Sequence, residues 1–445
     1  MIYMNRNRLL LLLLVLAITL RLTAEEKKDT TSFRKEGFTF GVLPVVAYDN
    51  DLGFQYGVLT NLYWYGDGSE YPKYDHSLYL ECSRYVAGTM LLRTYLDSRK
   101  LLPGLRTTID FTWFNDLTMD FTGFNGRESL YHREWEDEDS EEYRTSIYYR
   151  HSRRMARLMA GVRKDIENTP FYWQAGLTLF NMKIGTVDKS KLKSDVPQDA
   201  TTLYEQYCKW NVLRENERRG GVDGFLRAGI GIDTRQGEAF STGGIWSELL
   251  LSVAPRFFSN HDNHWVKLTI YHRQYFDLYK EKLVLAYRLG VQHRLSGRQP
   301  FYLLPHWVTN TLGSATSQGL GGAKTMRGLV RNRIVADGTA MGNIELRWVP
   351  IRFQWLKQHW SLGFNAFSDL GITTQGYDVN FEDVPKDMIE SHFDFSSSND
   401  KLHASTGLGV KIGMNSNFVV SADWGKALDA NDGASGFYVQ MNWLF

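Results

Sequence analysis

Alternation of apolar and polar positions dominates this chain. From 343 to 348, Ile344, Leu346 and Trp348 alternate with Asn343, Glu345 and Arg347. A strand has a side-chain period of two, so one face is apolar and the other carries fixed charges. Between 402 and 412, Ala404, Leu408, Val410 and Ile412 oppose Ser405, Gly407, Gly409 and Lys411. Phe418, Val420, Ala422 and Trp424 alternate with Val419, Ser421 and Asp423. In the last segment Phe437, Val439, Met441, Trp443 and Phe445 alternate with Tyr438, Gln440, Asn442 and Leu444. With almost no helical periodicity between them, the pattern predicts sixteen strands, at about 37–48, 53–65, 74–86, 88–99, 104–116, 143–163, 170–186, 221–235, 243–258, 264–277, 281–295, 339–350, 359–371, 402–413, 416–425 and 436–445. A soluble sheet turns its charged face to water. An apolar outer face with a charged inner one fits a membrane barrel, whose outside meets lipid. The strand at 143–163 fits poorly, because Arg153 and Arg154 fall on opposite faces. One of them must lie beyond the lipid zone or beside a bend.

The connections give an independent test. Counted from the first strand, the odd-numbered ones include the long segments 117–142, 187–220, 296–338 and 372–401. The even-numbered ones are mostly short. A barrel with its N-terminus in the periplasm predicts this segregation, with short periplasmic turns and longer outer loops. A β-sandwich has no reason to sort loop lengths by parity. Residues 134–142 form an acidic run, expected to be a solvated outer loop.

Composition narrows the class further. Aromatics make up 14% of the 445 residues and charged residues 23%. So many charges argue against a helical membrane protein but not against a barrel, whose strands average two faces. The one long apolar run, Leu9–Leu20, is too short for a spanning helix of about 20 residues. With Arg6 and Arg8 before it and Leu22-Thr23-Ala24 after it, residues 1–24 are expected to be a cleaved signal peptide. Residues 25–36 follow as a short periplasmic segment, and 37–445 as the outer-membrane barrel. The small net charge, +1 before cleavage, does not suggest nucleic acid. Cys82 and Cys208 make neither a disulfide framework nor a metal site and are expected to be unpaired thiols.

Several segments, taken in order, resemble one family. Pro44–Phe54 resembles its first hairpin, and Gly231-Ile232-Asp233-Thr234-Arg235 with Gly243-Gly244 its mid-barrel strand and turn. Met326-Arg327-Gly328-Leu329 resembles the Arg-Gly tip of its sixth outer loop, and Asn343–Trp348 the strand that follows. Phe367-Ser368-Asp369-Leu370-Gly371 is similar to its Phe-x-Asp-x-Gly strand, and Gly407-Leu408-Gly409 to the next. Phe445 resembles the terminal aromatic that outer-membrane barrels use as an assembly signal. The chain therefore resembles, over nearly all of 37–445, the bacterial surface antigen superfamily of outer-membrane barrels, the BamA/TamA family. It looks like a barrel-only member lacking POTRA domains, because 25–36 cannot hold a folded periplasmic domain. At the loop tip, Met326 and Leu329 stand where the family usually has a β-branched and an aromatic residue.

The resemblance implies an all-β transmembrane antiparallel barrel of about sixteen strands, its sixth outer loop folded into the lumen. It implies that Arg327 and Gly328 dock on a charged wall. A guanidinium offers planar, paired donors that a carboxylate matches. Asp369, on the inner face with Asn365 and Phe367, is the first expected partner of Arg327, and Glu345 the second. The contact is either a structural latch or a moving gate.

The expected function is assembly or translocation of protein or lipid in the cell outer membrane, with a separate periplasmic partner. A passive porin-like or structural barrel is the alternative. An outer-membrane lipid hydrolase would need a serine beside a histidine on the lipid-facing side. His272, His293 and His403 are scattered, with no serine in a recognisable motif. No enzymatic activity, cofactor or metal is therefore expected. The barrel is expected to be monomeric, with outer-membrane lipid around it.

Overall fold

The computed structural model describes residues 35–445 apart from 51, 72, 193–195, 198, 237–239, 307–318, 356–357, 396–399, 415–417 and 442. The expected signal peptide and nearly all of 25–36 lie outside the described residues.

Sixteen strands follow one another: β1 Phe38–Asp49, β2 Gly53–Trp64, β3 His76–Tyr85, β4 Met90–Leu102, β5 Leu105–Asp120, β6 Arg150–Asp165, β7 Phe171–Gly185, β8 Val222–Asp233, β9 Gly244–Ala254, β10 Trp265–Tyr279, β11 Leu283–Gly297, β12 Gly338–Trp355, β13 Gln358–Gln375, β14 His403–Met414, β15 Phe418–Ala427 and β16 Ser435–Met441. Each pairs antiparallel with the next, and β1 pairs with β16, so the sheet closes into a barrel. Closure leaves no sheet edge running the whole length of the wall. No helix among the described residues is long and apolar enough to cross a membrane.

The faces follow the alternation. On β12, Ile344, Leu346 and Trp348 are exposed on the outside, while Asn343, Glu345 and Arg347 are buried in the lumen. On β6, Arg153 and Arg157 are buried inside and Arg154 is exposed outside. The long connections, after β5, β7, β11 and β13, share one end of the barrel, the outer end.

Several strand ends shift by up to four residues, as in β5 and β9, and three differences have a clear physical reason. The strand expected from 143 begins at Arg150, because Tyr148 and Tyr149 are drawn into an aromatic core above the lumen. That core joins the outer loops through Phe121, Trp135, Tyr207 and Phe393. It includes two short helices, α1 (Leu203–Lys209) and α2 (Lys386–His392). Helix α1 starts in a capping box, with the Thr202 hydroxyl accepting from the Glu205 N–H. The acidic run lies on this cap with Glu138, Asp139, Glu141 and Glu142 exposed; Trp135 turns inward under Arg144, whose guanidinium carbon sits 3.5 Å from the ring centre.

Next, β12 is longer than expected at the short-loop end, and β13 runs on to Gln375 at the long-loop end. Past a bulge between Trp348 and Ile351 they pair on to Trp355↔Gln358, whereas β11 leaves β12 at Leu283↔Trp348. The result is a ribbon projecting from the short-loop end, with Ile351, Phe353 and Trp355 exposed.

Finally, the alternation at 436–445 predicts one continuous strand, yet β16 ends at Met441. Trp443 and Phe445 turn into the lumen. There Phe445 packs with Tyr275, Val284 and Ala286, and Arg347 donates to its main-chain oxygen at 2.8 Å. Cys82 and Cys208 are both free.

Candidate functional site

The connection between β11 and β12 brings its segment 319–337 against the inner wall. Arg327 is fully buried there. Its main-chain N–H and its Nε both donate to Asp369 Oδ2 at 3.0 Å, and its Nη2 donates to Asp369 Oδ1 at 3.0 Å. Its Nη1 lies 2.7 Å from Glu345 Oε1 and 3.7 Å from Asp423 Oδ1. The guanidinium carbon sits 3.3 Å from the centre of the Phe367 ring. A planar fork thus uses its edges for carboxylates and its face for an aromatic ring, which a lysine cannot do.

The carboxylates have other partners. Glu345 accepts from Arg347 Nε at 2.8 Å, and Asp423 accepts from Lys411 Nζ at 2.6 Å. Asn343 donates to Asp369 at 2.8 Å and to the Thr325 carbonyl at 2.6 Å. Three cations therefore face three carboxylates in a site closed to solvent. Burial pushes the Arg327 pKa down, but Asp369 and then Glu345 hold it above its ordinary value.

Gly328 makes the tip possible. Its φ of +96° is a left-handed conformation that a side chain disfavours. A Cβ there would stand 2.7 Å from the Gly425 carbonyl carbon and from the Lys426 nitrogen. The tip also bonds to the last strand: Gly328 N–H donates to Tyr438 Oη at 3.0 Å, and Lys324 Nζ to Gln440 Oε1 at 2.6 Å. Met326 is buried with Leu320, Leu329, Ile334 and Met341, so the tip has its own small apolar core.

Arg327, Gly328, Asp369 and Glu345 thus meet at one place, and Phe445 does not join them. It lies further toward the short-loop end, its ring centre 4.7 Å from the Arg347 guanidinium carbon. Sequence reasoning missed Asp423 as a third carboxylate and Phe367 as the surface under the guanidinium. Face parity carried both signals, since Asp423 alternates inward on β15 and Phe367 shares its face with Asp369.

The seam between the first and last strands is short. Among the described residues one register pair, Tyr48↔Val439, joins β1 to β16, whereas Val420↔Met441 to Lys426↔Ser435 join β15 to β16.

The three histidines sit apart. His403 is buried at the outer end of β14, between Asp432 Oδ1 at 2.7 Å and Asp400 Oδ1 at 3.1 Å. His293 is exposed on β11. His272 pairs in register with Ser247, and the two meet on the outside of the wall, Ser247 Oγ at 2.7 Å from His272 Nδ1. The sequence shows no serine in a recognisable motif with these histidines; this one is brought there by strand pairing across 25 residues of chain. His272 Nε2 faces Tyr287 Oη at 3.2 Å, and Tyr287 donates to Gln274. Among the described residues no group of three or more His, Cys, Asp or Glu side chains is arranged to hold a metal ion.

Solved structures give the fold its relatives. The chain is similar to BamA from Haemophilus ducreyi lacking POTRA domains 1–3, with TM-score 0.56 and 14% identity, covering 92% of this chain and 70% of that one. It is similar to CdiB from Escherichia coli, with TM-score 0.55 and 11% identity, covering 93% of this chain and 64% of that one. No family model and no curated protein matches the sequence. At such identities the likeness concerns the barrel fold.

Proposed function

We propose that this chain is an outer-membrane barrel of the BamA/TamA type that inserts or translocates protein or lipid. The observation that carries the reading is the seam. β16 has a single register pair with β1, ends at Met441, and is held from inside through Tyr438 and Gln440 by the loop that carries Arg327. Sheet pairs elsewhere in the wall run for seven to sixteen register pairs among the described residues, so a separation that costs least begins here. The likeness to BamA and CdiB barrels supports the same reading. A periplasmic partner fits the β12–β13 ribbon, whose Ile351–Trp355 edge has no β11 neighbour.

The test is a tether. Tyr48→Cys with Val439→Cys, in a background with Cys82 and Cys208 changed to serine, places two thiols at opposed Cα positions within reach of a disulfide. Oxidised protein in liposomes should lose client insertion or transfer, and reductant should restore it. Full activity in the oxidised state would rule out a seam route. A passive pore would instead show steady conductance indifferent to the tether.

The Ser247–His272 contact favours a second reading, a lipid hydrolase. There His272 is oriented by a phenol rather than a carboxylate. Lipid release by the pure protein that disappears in Ser247→Ala would support it; no release would dismiss it.

A further inference from the structure

The Arg153-Arg154 step that disturbs the alternation has an outcome of its own. Arg153 is buried in the lumen, and Arg154 points outward, exposed. Directly opposite it on β7, in register, stands Lys183, also outward and exposed. Like charges on directly opposed residues repel. Among the described residues neither forms an ion pair with a carboxylate, and the one polar contact is from Arg154 Nε to Asn115 Oδ1 at 3.5 Å. Asn115 is the register partner of Arg154 on β5, and the exposed Asn181 lies two residues from Lys183 on the same face. Two cations and two amides therefore form one outward patch across three strands.

Its height on the wall identifies what it meets. Below Arg154 the outward positions of β6 are Ala156, Leu158, Ala160 and Val162, and then Lys164. On β7 they are Asn181, Leu179, Leu177, Ala175, Trp173 and Phe171. Ten residues at about 3.3 Å each, tilted by roughly 40°, span about 25 Å, the height of a lipid-facing band. Arg154 and Lys183 sit at its outer rim, on the side of the long loops, and Lys164 at its other rim. A cation pair at that rim lies where the head groups of outer-leaflet lipids carry their charge.

We propose that Arg154 and Lys183, assisted by Asn115 and Asn181, bind a phosphate of a phosphorylated glycolipid in the outer leaflet. Each cation neutralises phosphate charge, and the phosphate relieves the repulsion between them. The inference rests on the outer-membrane reading above. It adds a lipid site to the barrel wall, away from both the lumen and the seam.

The test uses the full mature chain in neutral phosphatidylcholine nanodiscs doped with bis-phosphorylated lipid A, with the same lipid A after phosphatase treatment, or with phosphatidylglycerol. Retained lipid per barrel is read by native mass spectrometry. Wild type should retain the phosphorylated form about tenfold or more over the dephosphorylated one, and Arg154→Gln/Lys183→Gln should lose that excess. Lys164→Gln, at the opposite rim, should keep it. Unchanged retention in the double variant, equal retention of phosphatidylglycerol, or full competition by millimolar inorganic phosphate would each overturn the proposal. Outer-membrane fractionation and heat-modifiable migration are scored on the same preparations. A wild type that fails those overturns the outer-membrane reading; a double variant that passes them yet keeps its lipid A overturns the lipid site alone.

Discussion

Gly328 donates its main-chain N–H to the hydroxyl of Tyr438 at 3.0 Å, so the tip of a lumenal loop is bonded to the strand that closes the barrel. The contact requires the loop backbone to come within touching distance of β15, where a Cβ on residue 328 would stand 2.7 Å from main-chain atoms. Gly328→Ala should therefore cost about 1–3 kcal/mol through a strained φ and the displaced tip. A fall in the thermal midpoint of the detergent-solubilised barrel, read by heat-modifiable migration, checks this. An unchanged midpoint would mean the tip has room the structure does not provide.

Arg327 answers three carboxylates in a site without water access. Arg327→Ala leaves Asp369, Glu345 and Asp423 facing one another with two cations, and should destabilise the folded barrel by about 3–5 kcal/mol. Arg327→Lys keeps the charge but loses the paired donors to Asp369 and the stacking on Phe367, so it should fall between. Urea unfolding in detergent micelles ranks the three. Equal midpoints for Ala and Lys would show that geometry, not charge, sets the contribution.

The outer cap carries a pH dependence. His392 on α2 is fully buried, and burial first, then His132, Arg333 and Arg144, push its pKa from 6.5 down to about 3. The folded cap therefore holds a neutral imidazole that the unfolded segment would protonate. Its contribution is intact above about pH 6.5 and is lost progressively as pH falls toward 3, by up to tenfold per unit in the opening equilibrium. Limited proteolysis of the outer loops should accelerate on going from pH 7.5 to 5. His392→Phe should flatten that response while keeping the ring contacts with Trp135 and Phe393.

Trp443 and Phe445 fill the short-loop end of the lumen, with Trp443 against Val349 and Val419. The double change Trp443→Ala/Phe445→Ala should raise the conductance of the barrel in planar bilayers. Arg347→Gln, which removes the donor to the Phe445 main-chain oxygen, should raise it less. Conductance equal to wild type in both would place the restriction elsewhere, at the aromatic cap.

The wall was legible because a period of two has one physical meaning when one side must be apolar. Ile344, Leu346 and Trp348 sorted outward and Glu345 and Arg347 inward from parity alone. Parity also put Asp369 within the set of inward acids from which Arg327 chooses. Parity says nothing about where a strand stops. Trp443 and Phe445 keep the rhythm of β16 and yet leave it, because the lumen offers them Arg347, Tyr275 and Val419. Tyr148 and Tyr149 read as strand for the same reason, yet they pack on Trp135 and Tyr131 of the preceding loop and Tyr149 also on His392 of α2. The Ser247–His272 contact was hidden because it depends on register, which alternation leaves open by any even number of residues.

The uneven anchoring of β16 has a thermodynamic consequence. Its attachment to β15 has seven register pairs, its attachment to β1 has one among the described residues, and its inner face is tied to Gly328 and Lys324. Loop docking and seam closure thus share a free-energy term, and linkage makes that term symmetric. The factor by which a docked loop favours a closed seam equals the factor by which a closed seam favours docking.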